Sequence, residues 1–135
     1  MRVTIGALVL AALPQLAAAQ QFTTAAEVRP ILGATKASWV ALREYDGQDL
    51  IYFTQILSWR CGLTAVGYGF NGAEPTTLLP MEPCHEGTAS PNAITGDAIY
   101  LRQPPGSVQS LRVRIVYDDG TTEEASYARA QVLMP

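Results

Sequence analysis

Very few side chains in this sequence are equipped for catalysis. There is one histidine, His85, in the run Pro83-Cys84-His85-Glu86, and there are two cysteines, Cys61 and Cys84. Imidazole titrates near neutral pH and is the commonest general base, so a small hydrolase built on this chain would use His85, with Glu86 as the partner next door. Neighbouring residues of an extended chain point to opposite sides, however, so the two seldom address one ligand. A Ser–His–Asp arrangement would draw on Ser90, Ser107 or Ser110 and on Asp97 or Asp118. None of these serines lies in a G-x-S-x-G elbow. No catalytic residue is assigned, and a hydrolase with His85 as base is the alternative reading.

Metal and cofactor chemistry is equally poorly provided for. Zinc needs three or four Cys, His or carboxylate ligands, and once the cysteines bond to each other only carboxylates remain beside His85. No metal and no cofactor are expected. Carboxylates cluster at Asp118-Asp119, at Glu123-Glu124, and at Asp46 with Asp49. Glycosidase chemistry needs two of them facing across a cleft, about 5–10 Å apart, whereas aspartates in turns bond the local backbone. Asp118-Asp119-Gly120 lacks the spacing of a calcium loop. The single lysine, Lys36, follows no phosphate-cradling glycine loop.

Trp59-Arg60-Cys61-Gly62 points to recognition instead of catalysis. Tryptophan and arginine are enriched in binding hot spots, and here they adjoin a cysteine. With Glu82, His85 and Glu86 they make the candidate binding surface. The competing reading has Trp59 packing over a disulfide as core, while Arg60 lays its stem along apolar surface or pairs with Glu82 or Glu86.

These residues need elements to position them. Residues 1–19, MRVTIGALVLAALPQLAAA, place one arginine before an apolar run that ends at Pro14 and small residues. That is the layout of a secretory signal peptide, and the run falls well short of the roughly 20 residues that span a bilayer. Cleavage is expected after Ala19, leaving one domain over 20–135, periplasmic or secreted. In an oxidising compartment Cys61 and Cys84 are expected to form a disulfide, and neither has the C-x-x-C spacing of a redox pair. Eight arginines against one lysine, with no N-x-S/T sequon, fit a bacterial source.

Thr24-Ala25-Ala26-Glu27 has the signature of a capping box and predicts a short helix over about 25–32, with Pro30 awkwardly deep. Two hairpins follow. Ser38–Glu44 and Asp49–Ile56 flank Tyr45-Asp46-Gly47. A two-residue Asp46-Gly47 turn would set Glu44 against Asp49, a repulsive pair. A three-residue loop pairs Arg43 with Asp49, Leu42 with Leu50, Val40 with Tyr52 and Trp39 with Phe53, and is the register expected. Both faces would then be largely apolar, predicting a central place in the fold. At the other end, Val108–Tyr117 alternates with Leu111, Val113, Ile115 and Tyr117 on one face. A three-residue Asp118-Asp119-Gly120 loop sets Arg114 opposite Glu124, Val113 opposite Ala125 and Leu111 opposite Tyr127. Leu63–Phe70 and Ala98–Gln103 read as further strands.

Between them, the proline-rich stretch 72–96 is irregular, and segments of that length are commonly functional. The fold class is mainly β: a small antiparallel sandwich or open barrel of about six strands, with one short N-terminal helix and one disulfide. Of 135 residues 48% are hydrophobic and 16% charged, and the net charge is −3. A net-negative chain with one lysine is a poor fit to nucleic-acid phosphates. The function expected is that of a non-enzymatic exported domain binding a protein or cell-envelope partner through the stapled loop. Inhibition of a periplasmic hydrolase would be a special case.

Overall fold

The computed structural model describes residues 2–3, 6–11 and 20–135. The stretch 12–19, which holds the expected cleavage position, lies outside the described residues, as do Met1, Thr4 and Ile5 of the expected leader. Among the described residues no helix is long and apolar enough to cross a membrane.

Among the described residues seven strands form two antiparallel sheets. One is three-stranded, in the order β1 (Ala41–Tyr45), β2 (Gln48–Tyr52), β5 (Tyr100–Gln103). The other is four-stranded, in the order β4 (Thr77–Leu78), β3 (Leu63–Phe70), β6 (Ser110–Tyr117), β7 (Thr122–Ala128). Leu42 and Ile51 from the first sheet share one core with Val66, Leu111, Val113 and Ile115 from the second. The fold is therefore sandwich-like, with one strand more than expected because Thr77–Leu78 adds a short edge to β3.

The C-terminal hairpin has the register expected from its alternation. Arg114 lies opposite Glu124, Val113 opposite Ala125 and Leu111 opposite Tyr127, with the inward residues of β6 buried. β3 likewise spans the residues expected. Its Gly67 and Gly69 lie under a close crossing of the chain. A methyl group at Gly67 would fall on the Pro75 carbonyl oxygen, and one at Gly69 on the carbonyls of Ala73 and Glu74. Two glycines at alternate strand positions are the sequence mark of such an approach.

The first hairpin departs from expectation. Tyr45 pairs with Gln48, Glu44 with Asp49 and Arg43 with Leu50, so the two-residue turn is the one formed. Asp46 and Gly47 both take positive φ, 51° and 70°, as a type I′ turn requires, and its twist suits the flanking strands. The repulsion between Glu44 and Asp49 is removed by Arg129. Its Nη1 lies 2.6 Å from Asp49 Oδ2, and its Nη2 lies 2.6 Å from Glu44 Oε1. Asp49 is fully buried; the hydrogen bond from Arg129, with those from the Gly106 and Val108 amides, lowers its pKa to about 2. The hairpin is also not central as a whole. β2 lies between β1 and β5, but β1 is an edge, and the sheet's outer side carries tyrosine and arginine.

The helix α1 (Ala25–Ala34) runs two residues beyond its expected end, with Pro30 inside it, and lies well inside the full chain, not at its N-terminus. Thr24 Oγ1 accepts from the Glu27 amide, but Glu27 reaches past the cap residue to the Phe22 amide. Val28 and Leu32 are buried against the core. Two further helices are single turns, α2 (Thr54–Leu57) and α3 (Arg129–Val132). β5 begins at Tyr100, not Ala98, because the Ile99 amide turns back to Asp97.

Candidate functional site

The stapled segment forms as a wired loop. Cys61 and Cys84 are disulfide-bonded, with their Cα atoms 5.1 Å apart. Apart from β4, residues 72–96 have no helix or strand, so their polar groups must be satisfied another way. Arg60 does this. It is only 3% exposed. Its guanidinium donates to the carbonyls of Leu57, Glu82, Pro83, Asn92 and Ala93 at 2.6–3.1 Å and lies 3.3 Å from Glu82 Oε2. Of the two carboxylates open to it in the sequence, Glu82 is the partner. Arginine suits this position because its planar fork offers five donors and keeps its charge when buried.

Glu82 is the second hub. Its carboxylate accepts from the amides of Thr95 and Gly96, from Thr95 Oγ1 and from His85 Nε2 at 2.5 Å. These bonds, the Gly96 amide first and His85 next, lower its pKa to about 2. Glu82 and His85 have the base–orienter geometry a hydrolase would need, but among the described residues no hydroxyl hydrogen-bonds the imidazole's other nitrogen. Ser107 donates to the Pro104 carbonyl and Thr88 to the His85 carbonyl. Glu86 is exposed and makes no hydrogen bond in this set. Trp59 stacks edge-on to Phe22 with centroids 5.0 Å apart, and its indole N–H is buried without an acceptor.

Asp118, Asp119, Glu123 and Glu124 are held by partners within the fold. Asp119 accepts from Thr121 and pairs with Arg29, Asp118 accepts the Ala25 amide, and Glu124 pairs with Arg112 and Arg114. Glu123 takes the Tyr117 hydroxyl and Lys36. Burial first, then the Glu123 hydrogen bond, raises the Tyr117 pKa. Among the described residues no group of three or more His, Cys, Asp or Glu side chains is placed to hold a metal ion.

A different surface emerges on the outer side of the three-stranded sheet. Arg43 in β1 lies opposite Leu50 in β2, and Leu50 opposite Arg102 in β5. One row further along, Ala41, Tyr52 and Tyr100 are aligned. Tyr45 and Gln48 close the other end. Side chains of alternate residues share a face, so these rows line one shallow cleft of about 260 Å³, floored by Leu50 at 6% exposure. Arg43 stacks on the Tyr45 ring at 4.5 Å, and Arg102 lies 5.6 Å from the Tyr100 centroid and hydrogen-bonds its hydroxyl. The Tyr52 and Tyr100 rings are 5.3 Å apart.

The charge on this face is unspent. Among the described residues from Arg29 onward, every lysine and arginine except Arg43 and Arg102 makes an ion pair. The Tyr100 hydrogen bond is the first cause of a raised Arg102 pKa, with Asp46 and Asp97 acting at longer range. The sequence carries a signal for this surface, the same-face pairs Arg43/Tyr45 and Tyr100/Arg102 at i, i+2. What it hides is that β5 joins β2, which brings the pairs together. No protein-family model, curated protein or solved structure matches the chain.

Proposed function

We propose that this protein is a non-enzymatic binding domain exported to the periplasm or beyond, and that it engages its partner with the outer face of β1, β2 and β5. The observation that carries this reading is the convergence of two arginines without ion-pair partners on one cleft walled by tyrosines. Tyrosine and arginine are the residues that dominate binding surfaces. Stacking on the rings holds the guanidiniums in place, which lowers the ordering cost of binding.

The stapled segment has a supporting part in this reading. Arg60 and Glu82 fasten residues 82–96, and the chain runs on from Gly96 through Asp97, Ala98 and Ile99 into β5. The loop thus delivers Tyr100 and Arg102 to the edge of β2. A photo-crosslinking residue placed at Tyr45 is expected to yield adducts in the exported protein, and one at Glu86 to yield none. Adducts from Glu86 alone would return the binding surface to the stapled loop. Export has its own measurement: the intact mass of the protein from periplasmic extract should begin at Gln20, and a retained leader refutes it.

A further inference from the structure

We infer that the ligand of this face is an acidic oligosaccharide, with its carboxylates held by Arg43 and Arg102 and its sugar faces laid on Tyr52 and Tyr100. The inference rests on the binding role proposed above and names the chemistry of that site. Arg43, Leu50 and Arg102 lie in one row across three strands, and strand spacing sets the two arginine backbones roughly 9–10 Å apart. The Arg43 guanidinium leans onto Tyr45 at the turn end and that of Arg102 towards Tyr100 at the other, and two positive forks set apart across one cleft, in a domain of net negative charge, call for a ligand with repeated anionic groups. Guanidinium matches carboxylate in a bidentate, planar way.

The floor and walls narrow the class further. Apart from Leu50, the cleft is lined by tyrosine, arginine, Asp46 and Gln48, groups that can hydrogen-bond a polar ligand along its length. It lies on the face of the sheet and not along the free edges of β1 or β5, so a ligand seated in it is held by side chains and not by added-strand pairing. Adjacent tyrosine rings with hydroxyl tips offer apolar faces and hydrogen bonds together, which is what a pyranose ring presents in return. The surface continues past Tyr52 to Ala41, Thr54 and Met134, giving room for more than one sugar.

The experiment titrates the disulfide-bonded chain, followed by NMR, with three probes. They are a hexasaccharide alternating uronic acid and N-acetylhexosamine, its methyl ester, and a polyglutamate peptide. The acidic hexasaccharide is expected to shift the Tyr45, Tyr52 and Tyr100 resonances. Esterification should weaken binding at least tenfold. Arg43→Gln and Arg102→Gln should each weaken it about tenfold, as expected for loss of a charged hydrogen bond, with the remaining amide spectrum unchanged. Equal binding of the ester overturns the role of the carboxylates. Polyglutamate shifting these tyrosines where the hexasaccharide does not overturns the sugar and leaves the face standing. Shifts confined to other residues, or absent with all three probes, overturn the face itself.

Discussion

The stapled segment and the outer face of the three-stranded sheet both depend on arginine and use it in opposite ways. At the segment Arg60 and His85 each bond Glu82, and Arg60 bonds the backbone around it, so their hydrogen-bonding capacity is consumed in holding a loop that has almost no secondary structure. On the sheet the backbone is satisfied by the ladders, and the arginines are left with aromatic stacking and free charge. Regular structure releases side chains for recognition, while irregular structure enlists them. A charged residue next to a disulfide is therefore no sign of a binding site until its burial is known.

The largest effect that would separate the two regions is the loss of Arg60. Arg60→Ala leaves five carbonyls without the donor they share and should cost about 3–5 kcal/mol, at roughly 1 kcal/mol for each lost bond. Urea denaturation is the measurement. A loss under about 1 kcal/mol would mean that the segment is not organised around this guanidinium. Next comes the staple. Cys61→Ser with Cys84→Ser opens a loop with a sequence separation of 23 and should lower stability by about 3 kcal/mol on the chain-entropy model. In the same variant the resonances of Tyr100 and Arg102 should broaden, because the loop that feeds β5 is loosened.

Acid titration sharpens the contrast. Glu82 and Asp49 both have pKa values lowered to about 2, from ordinary values of 4.5 and 3.8. A carboxylate with a lowered folded pKa contributes its stability above the unfolded value and loses it as pH falls. Stability should therefore hold above about pH 4.5 and decline towards pH 2. Glu82→Gln should flatten part of that decline in melting curves taken across the window. The smallest effect belongs to the sheet face: Arg43→Gln with Arg102→Gln should change stability by no more than about 0.5 kcal/mol and leave the acid profile as it was. A large loss from that pair would show that these arginines brace the fold, like Arg60, and are not free to bind.

The sequence revealed most where the deciding interactions are close together along the chain. The C-terminal hairpin was legible to its register because Leu111, Val113, Ile115 and Tyr117 alternate and the three-residue loop fixes their pairing with β7. The first hairpin was not, because the cation that neutralises Glu44 and Asp49 in the observed register, Arg129, lies 80 residues from Asp49. Local pairing weighed Glu44 against Asp49 and found repulsion; the fold supplies the cation. The disulfide could be read from the even cysteine count and the expected export, and Arg60 with Glu82 from charge. Whether Arg60 faced water or the interior was not legible, since either face of an irregular loop can be buried. The tyrosine–arginine face stayed hidden for the corresponding reason: each half is a strand pair visible in sequence, and the partnership of β5 with β2 is not.

The reach of Arg129 also sets an order of events. Met134 donates its amide to the Leu42 carbonyl, and Leu133 bridges Leu42 in parallel, so β1 is clasped from the far end of the chain at two points besides the ion pair. A polypeptide emerging N-terminus first presents β1 and β2 long before it presents their clasp. Until then Glu44 and Asp49 face each other unneutralised, and the hairpin stays unlatched. A chain built this way can latch its first hairpin only after its last residues have been made.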